Sequence, residues 1–258
     1  MRVIESGSNP RVQRVKKVHS RHRNDLFLIE GRKLFQEAAA SGIHWEEIFV
    51  TAPVLSKERE LLNSKTLAGV ELNIVSTRVM KTISDLDTPP GILALARRPV
   101  PPAIIYPVRM AAFLISIRDP GNFGAIIRTA EASECEFIAY TQDCVDPFLP
   151  KVVRASMGSI FRLPLLEVKN ANDFLVQQKK RKIQCCSLAP RAAQSIPDWR
   201  PKFPLLVCLG SESHGLPAGL SVDEVISIPM KSGVESLNAA VAASLCLYWL
   251  AYMAHRNV

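Results

Sequence analysis

A chain of 258 residues, 48% of them apolar, is long enough to bury one large core or two smaller ones. Its formal net charge of +8 favours a polyanionic partner such as nucleic acid. The first residues alternate charge and polarity without an apolar leader, so a cytoplasmic protein is expected. The six cysteines form no C-x-x-C pair and no His/Cys cluster has zinc-site spacing, so reduced core thiols and no metal are expected.

In chain order, the basic N-terminal stretch comes first, with Arg2, Arg11, Arg14, Lys16, Lys17, Arg21 and Arg23 against only Glu5 and Asp25. Helical spacing would line several of these cations along one side, which makes Arg11, Arg14, Lys16, Lys17, Arg21 and Arg23 the candidate RNA contacts. Helix-like segments at 32–41, 57–63 and 77–84 then alternate with strand-like ones at 48–50 and 72–75. That alternation predicts a small α/β domain over residues 1–97. After a strand-like run at 92–96, prolines break the pattern, so residues 98–108 read as a linker and 109–258 as a second domain. A second basic cluster, Lys179–Lys182, reads as a solvated face.

The second domain repeats one arrangement three times. The apolar run 111–117 leads into Asp119-Pro-Gly-Asn-Phe-Gly124 and a helix start carrying Arg128. The run 205–209 leads into Gly210-Ser-Glu-Ser-His-Gly215, and 225–228 leads into Pro229-Met-Lys-Ser-Gly-Val-Glu-Ser-Leu-Asn238. Short continuous apolar runs suit buried parallel strands, and loops at their carboxyl ends converge on one cleft. Gly121 and Gly124 are spaced G-x-x-G, which departs from the dinucleotide fingerprint, and no serine of the second loop sits in a G-x-S-x-G frame. The closing helix, 239–254, falls short of the roughly 20 residues a bilayer needs; a buried core or a dimer interface is the expected setting.

These three segments resemble the signature motifs of the SpoU/TrmH family of RNA ribose 2′-O-methyltransferases, in the SPOUT superfamily. The first motif appears as Asn122, Gly124, Arg128 and Ala130, and the second as Gly210, Glu212 and Gly215. The third appears as Ile228-Pro229-Met230 with Ser236-Leu237-Asn238. The stretch 154–164 also resembles family sequence between motifs one and two. The first domain is similar to the substrate-binding domain related to ribosomal protein L30e, through Ser8-Asn-Pro-Arg11 and Phe27-Leu-Ile-Glu-Gly31.

The resemblance implies a parallel-sheet α/β catalytic domain with a deep trefoil knot, preceded by a small L30e-like RNA-binding domain. It implies S-adenosylmethionine as cofactor, held by Gly210, Ile228, Met230 and Leu237, and a homodimer pairing near the site. It further implies Arg128 as the essential catalytic residue, with Asn122, Glu212, Ser236 and Asn238 orienting the reactants. Arg128 would stabilise the developing alkoxide, because a guanidinium holds its proton too tightly to serve as a base. Glu212 would either take the proton or anchor loop amides. Ribosomal RNA of the large subunit is the expected substrate, with transfer RNA as the alternative. Two other classes fit the residues: a non-catalytic RNA-binding assembly factor of the same fold, and a nucleotide-binding α/β enzyme acting on a small molecule.

Overall fold

The computed structural model describes residues 2–20, 25–62, 65–101, 103–104, 108–211 and 215–256. They form two compact units, one from Met1–Val100 with Asp146–Arg162, the other from Pro101–Val145 with Leu163–Val258.

The first unit opens with β1 (Arg2–Ile4), α1 (Pro10–Ser20), β2 (Leu26–Glu30), α2 (Arg32–Ala40) and β3 (Trp45–Val50). Two short helices, α3 (Ala52–Lys57) and α4 (Arg59–Leu62), then lead to β4 (Glu71–Val75), α5 (Thr77–Ile83) and β5 (Ile92–Arg97). The strands form a mixed sheet in the order β1-β4-β3-β5-β2. Val12 and Val15 of α1 share a buried cluster with Val79, Met80 and Ile83 of α5 and with Leu28, Phe49 and Leu93 of the sheet. Each helix therefore lays its apolar stripe on the sheet.

The second unit contributes β6 (Met110–Leu114), α6 (Pro120–Ala132) and β7 (Ile138–Thr141). The chain next forms α7 (Pro150–Ala155) and resumes with β8 (Leu165–Val168), α8 (Ala171–Lys180), β9 (Gln184–Leu188) and β10 (Gln194–Ser195). It closes with β11 (Leu205–Leu209), β12 (Glu224–Ser227) and α9 (Ala239–Arg256). The sheet order is β10-β12-β9-β11-β6-β7-β8, and every pairing in it is parallel. Strands β6, β7 and β11 are buried at every residue, as a sheet covered on both faces requires. Leu175 of α8 packs with Phe113, Phe137, Cys185 and Leu206, while α6 and α9 pack against each other.

The segment 146–162 adjoins the second unit in sequence yet completes the first. Arg98 forms a two-pronged pair with Asp146 at 2.9 and 2.6 Å. Arg154 reaches Asp85 at 2.8 Å, and Arg162 reaches Glu37 at 2.6 Å. The Phe148 ring packs against that of Phe27, centroids 5.0 Å apart and planes tilted by 58°. Gly158 has φ +99°, and a Cβ there would lie 2.8 Å from Glu37 Cβ, so both backbone and space call for glycine. The family-like stretch 154–164 thus spends most of its length on the first unit. Among the described residues no helix is long and apolar enough to cross a membrane.

Candidate functional site

The site is built where β9, β11 and β12 end. A cavity of about 570 Å³ opens there, lined by Leu188 and Pro190 at the end of β9, Leu209 and Gly210 at the end of β11, and Ile228, Met230, Ser236 and Leu237 after β12. This is the carboxyl edge of a parallel sheet, next to the point where strand order reverses around β6. Its volume falls within the roughly 300–1,000 Å³ typical of small-molecule and cofactor pockets. Gly210, Ile228, Met230 and Leu237, the four residues assigned to the cofactor from sequence, all line it.

Gly210 shows why the loop needs glycine. A Cβ there would sit 2.7 Å from the Leu216 backbone nitrogen and closer still to the Gly215 carbonyl. The loop folds back on itself, with Ser211 N donating to Gly215 O at 3.2 Å and Gly215 N to Ser211 O at 2.9 Å. Backbone thereby approaches backbone at the cavity wall, and the wall stays thin enough for a ligand to meet main-chain groups.

Motifs one and three meet through asparagines. Asp119 caps α6 by accepting from Asn122 N at 2.7 Å, with Pro120 at the first helical position. Asn238 caps α9, its Oδ1 accepting from Ala240 N at 3.0 Å and Val241 N at 3.2 Å. Its Nδ2 donates to Asn122 Oδ1 at 3.0 Å. One side chain therefore fixes the start of α9 and ties it to the start of α6. A second hydrogen bond, Thr129 Oγ1 to Ser244 Oγ at 2.8 Å, joins the same helices further along.

The approach to motif one is held from β7. Ser116 has φ +58°, a left-handed conformation uncommon outside glycine. Its N–H donates to Thr141 Oγ1 at 3.1 Å and its hydroxyl to Asp143, while Thr141 Oγ1 donates to Asp143 at 2.5 Å. Burial opposes the Asp143 charge, but hydrogen bonds from Ser116 and Thr141 outweigh it and hold the carboxyl below its usual range. The Ser116, Thr141 and Asp143 clasp has no sequence signature, because a left-handed serine looks like any other.

Arg128 lies elsewhere. It follows Asn122 by six residues, which puts it about 120° round the helix and roughly 9 Å along it. It is exposed, is absent from the cavity lining, and makes no ion pair among the described residues. Glu212 lies outside the described residues, as do Arg21 and Arg23. Ser236 lines the cavity, and Asn238, itself outside the lining, lies in sequence between the lining residues Leu237 and Ala239. Sequence reasoning missed the wall after β9; its signal is Pro190, which ends a strand-like run.

The N-terminal cations divide. Arg11 pairs with Glu47 at 3.0 Å and Glu71 at 2.6 Å, and Arg14 with Glu46 and Glu47 at 3.0 Å each. A bulge between Trp45 and Glu47 interrupts the alternation of β3, so two successive carboxylates serve one guanidinium. Burial opposes the Glu46 charge, but hydrogen bonds from Arg14 and Arg97 hold its pKa below the usual carboxylate value. These two arginines fasten α1 to the sheet. Lys16 is half-buried on α1, and Lys17 is exposed and engaged in a further interaction.

All six cysteines are buried free thiols, and burial pushes Cys135 and Cys185 up to about 12. Among the described residues no group of His, Cys, Asp and Glu converges as a metal site.

The sequence matches the SpoU rRNA Methylase family over residues 109–248 and the MRM3-like substrate binding domain over residues 9–94. It is 33% identical to a Synechocystis protein described as an uncharacterized tRNA/rRNA methyltransferase, across 95% of this chain and 92% of that protein. It is 30% identical to the 23S rRNA (guanosine(2553)-2'-O)-methyltransferase RlmP of Bacillus subtilis, across 97% of this chain and 99% of that one. In three dimensions it is similar to the SpoU methyltransferase AviRb from Streptomyces viridochromogenes, solved in complex with AdoMet. That match has a TM-score of 0.85 and 26% identity, covering 95% of this chain and 97% of that one.

Proposed function

The chain belongs to the SpoU rRNA methylase family, and on that premise we propose that it methylates a ribose 2′-hydroxyl of large-subunit ribosomal RNA, using S-adenosylmethionine. The observation that carries this reading is the convergence of motifs two and three on one cavity, with motif one tied to motif three through Asn122 and Asn238.

The cavity fits the cofactor on structural grounds. Gly210 lets two stretches of backbone approach closely at the wall, where any Cβ would collide with Gly215 and Leu216, and apolar Leu188, Leu209, Ile228 and Leu237 suit an adenine ring. When bound, S-adenosylmethionine supplies a sulfonium-activated methyl group, so the protein's task is alignment and charge stabilisation. Asn122, held by Asn238, and Ser236 orient the ribose. Arg128 stabilises the alkoxide that develops on the 2′-oxygen as its proton departs. Glu212 takes that proton or anchors the loop.

Arg128 stands about 120° away from Asn122 on α6, which supports a site completed by a second copy. Along α9, Val241, Leu245, Tyr248 and Tyr252 recur at helical spacing and are each about half exposed. A homodimer would bury this stripe and bring one copy's Arg128 to its partner's cavity. The trefoil knot that accompanies the family fold belongs to the same proposal.

Transfer of labelled methyl to unmodified ribosomal RNA and, separately, to transfer RNA tests the function. Products are mapped by alkali resistance, since a methylated 2′-oxygen cannot attack the neighbouring phosphate. A new resistant position in ribosomal RNA, lost with Arg128→Ala, is the expected result. Label in transfer RNA alone would reassign the substrate. Cofactor binding without label in either RNA would point to another substrate such as an assembly intermediate, and failure of cofactor binding as well would favour the non-catalytic assembly factor. For the shared site, mixing Arg128→Ala with a cavity-blocked variant should restore part of the activity that each lacks alone.

A further inference from the structure

Nearly all of the chain's net positive charge falls in the first unit. Much of it is internally spent: Arg11, Arg14 and Arg97 face Glu46, Glu47 and Glu71, and such pairs project little field into solvent. The unneutralised cations are therefore the informative ones.

One group of them lies across α1 and α5. The two helices sit side by side over one sheet face, with His19 Nε2 donating to the Ile83 carbonyl at 2.9 Å. Neither helix contains an acidic residue. The outward face of α5 consists of Thr77, Arg78, Lys81 and Thr82, all exposed, with Val79, Met80 and Ile83 turned inward. Arg78 and Lys81 are three residues apart and so project on one side. On α1, Lys16 is about 160° round the helix from Arg14 and about 60° from His19. It therefore lies on the flank of α1 that meets α5, away from the glutamates. Among the described residues none of Lys16, Arg78 and Lys81 makes an ion pair.

We propose that Lys16, Arg78 and Lys81 form a docking strip for the phosphodiester backbone of the substrate RNA. The inference rests on the RNA-methyltransferase reading and relocates its RNA contact from the α1 arginines to the α1–α5 flank. Cations beside the exposed Thr77 hydroxyl suit phosphate and ribose oxygens. The α5 face offers no apolar or aromatic anchor, which a protein hot spot or a membrane-lying helix would need.

The test is titration of an unmodified large-subunit rRNA transcript across 50–200 mM salt. It compares the unaltered chain, the Arg78→Ala/Lys81→Ala double variant, and a control double variant, Lys57→Ala/Arg59→Ala, that removes equal charge from α3 and α4. Loss of two phosphate contacts should flatten the slope of log K against log salt by about 1.4–1.8, with little change in the control. Binding of S-adenosylhomocysteine should be the same in all three. An unchanged slope in the α5 variant, or equal flattening in both variants, would overturn the docking strip. If the unaltered chain binds S-adenosylhomocysteine but shows no salt-dependent rRNA binding, the RNA reading itself falls and the strip with it.

Discussion

Gly210→Ala probes the cavity wall most directly. The new methyl carbon would lie 2.7 Å from Leu216 N and nearer still to the Gly215 carbonyl, both backbone atoms that cannot swing aside. Relief requires the loop to open, which breaks the two hydrogen bonds between Ser211 and Gly215. At about 0.5–1.5 kcal/mol each, their loss disfavours the closed wall by about 1–3 kcal/mol. If ligand binds only the closed form, affinity falls by about 5- to 150-fold. Calorimetric titration with S-adenosylhomocysteine measures this, and Gly219→Ala serves as the control. Gly219 also lines the cavity and has φ +82°, but a Cβ there meets nothing within 4 Å, so the substitution carries conformational cost without a clash. Wild-type affinity in Gly210→Ala, or a larger loss in Gly219→Ala, would refute the close-approach argument.

Arg128→Ala should lower methyl transfer by about 10²–10³-fold or more while S-adenosylhomocysteine binds as before, and near-normal turnover would remove its assigned role. Asn238→Ala should cost about 0.5–2 kcal/mol through the α9 cap, lowering Tm by a few degrees in calorimetry. Asn238→Asp keeps the cap but loses the donation to Asn122, so lowered activity with retained Tm separates alignment from stability. The six buried thiols should resist a thiol reagent at pH 8 until the protein is unfolded; ready labelling of the native chain would contradict their burial. Because folding raises the pKa of Cys135 and Cys185, their contribution to stability is whole below the unfolded value of about 8.5. It declines as pH rises through that value towards 12, which urea unfolding at pH 8 and pH 10 would register.

The catalytic-unit strands were legible because a parallel strand covered on both faces must be apolar throughout, and 205–209 matches β11 residue for residue. The cavity glycine was legible for a related reason: a loop whose backbone doubles back tolerates only one residue type there. Charge was less legible. The run of cations in α1 suggested one RNA-facing side, but Glu46, Glu47 and Glu71 are distant in sequence and claim Arg11 and Arg14 only after folding. The helix expected at 57–63 corresponds to α4 alone among the described residues, and the turn before it, α3, was not expected although Pro53 favours a helix start there. Likewise, nothing local in Phe148 or Gly158 reveals that their partners are Phe27 and Glu37, more than a hundred residues earlier.

That last arrangement bears on how the chain matures on the ribosome. A domain that ends near residue 100 would ordinarily fold as soon as it emerged. Here the first unit must wait for Asp146–Arg162, whose Asp146 and Phe148 meet partners already synthesised. At about 5–20 residues per second the wait is roughly 3–12 s, during which Phe27 lacks its cover and Arg98 its carboxylate. Completion of the first unit is thereby made contingent on synthesis of the opening strands of the second, β6 and β7.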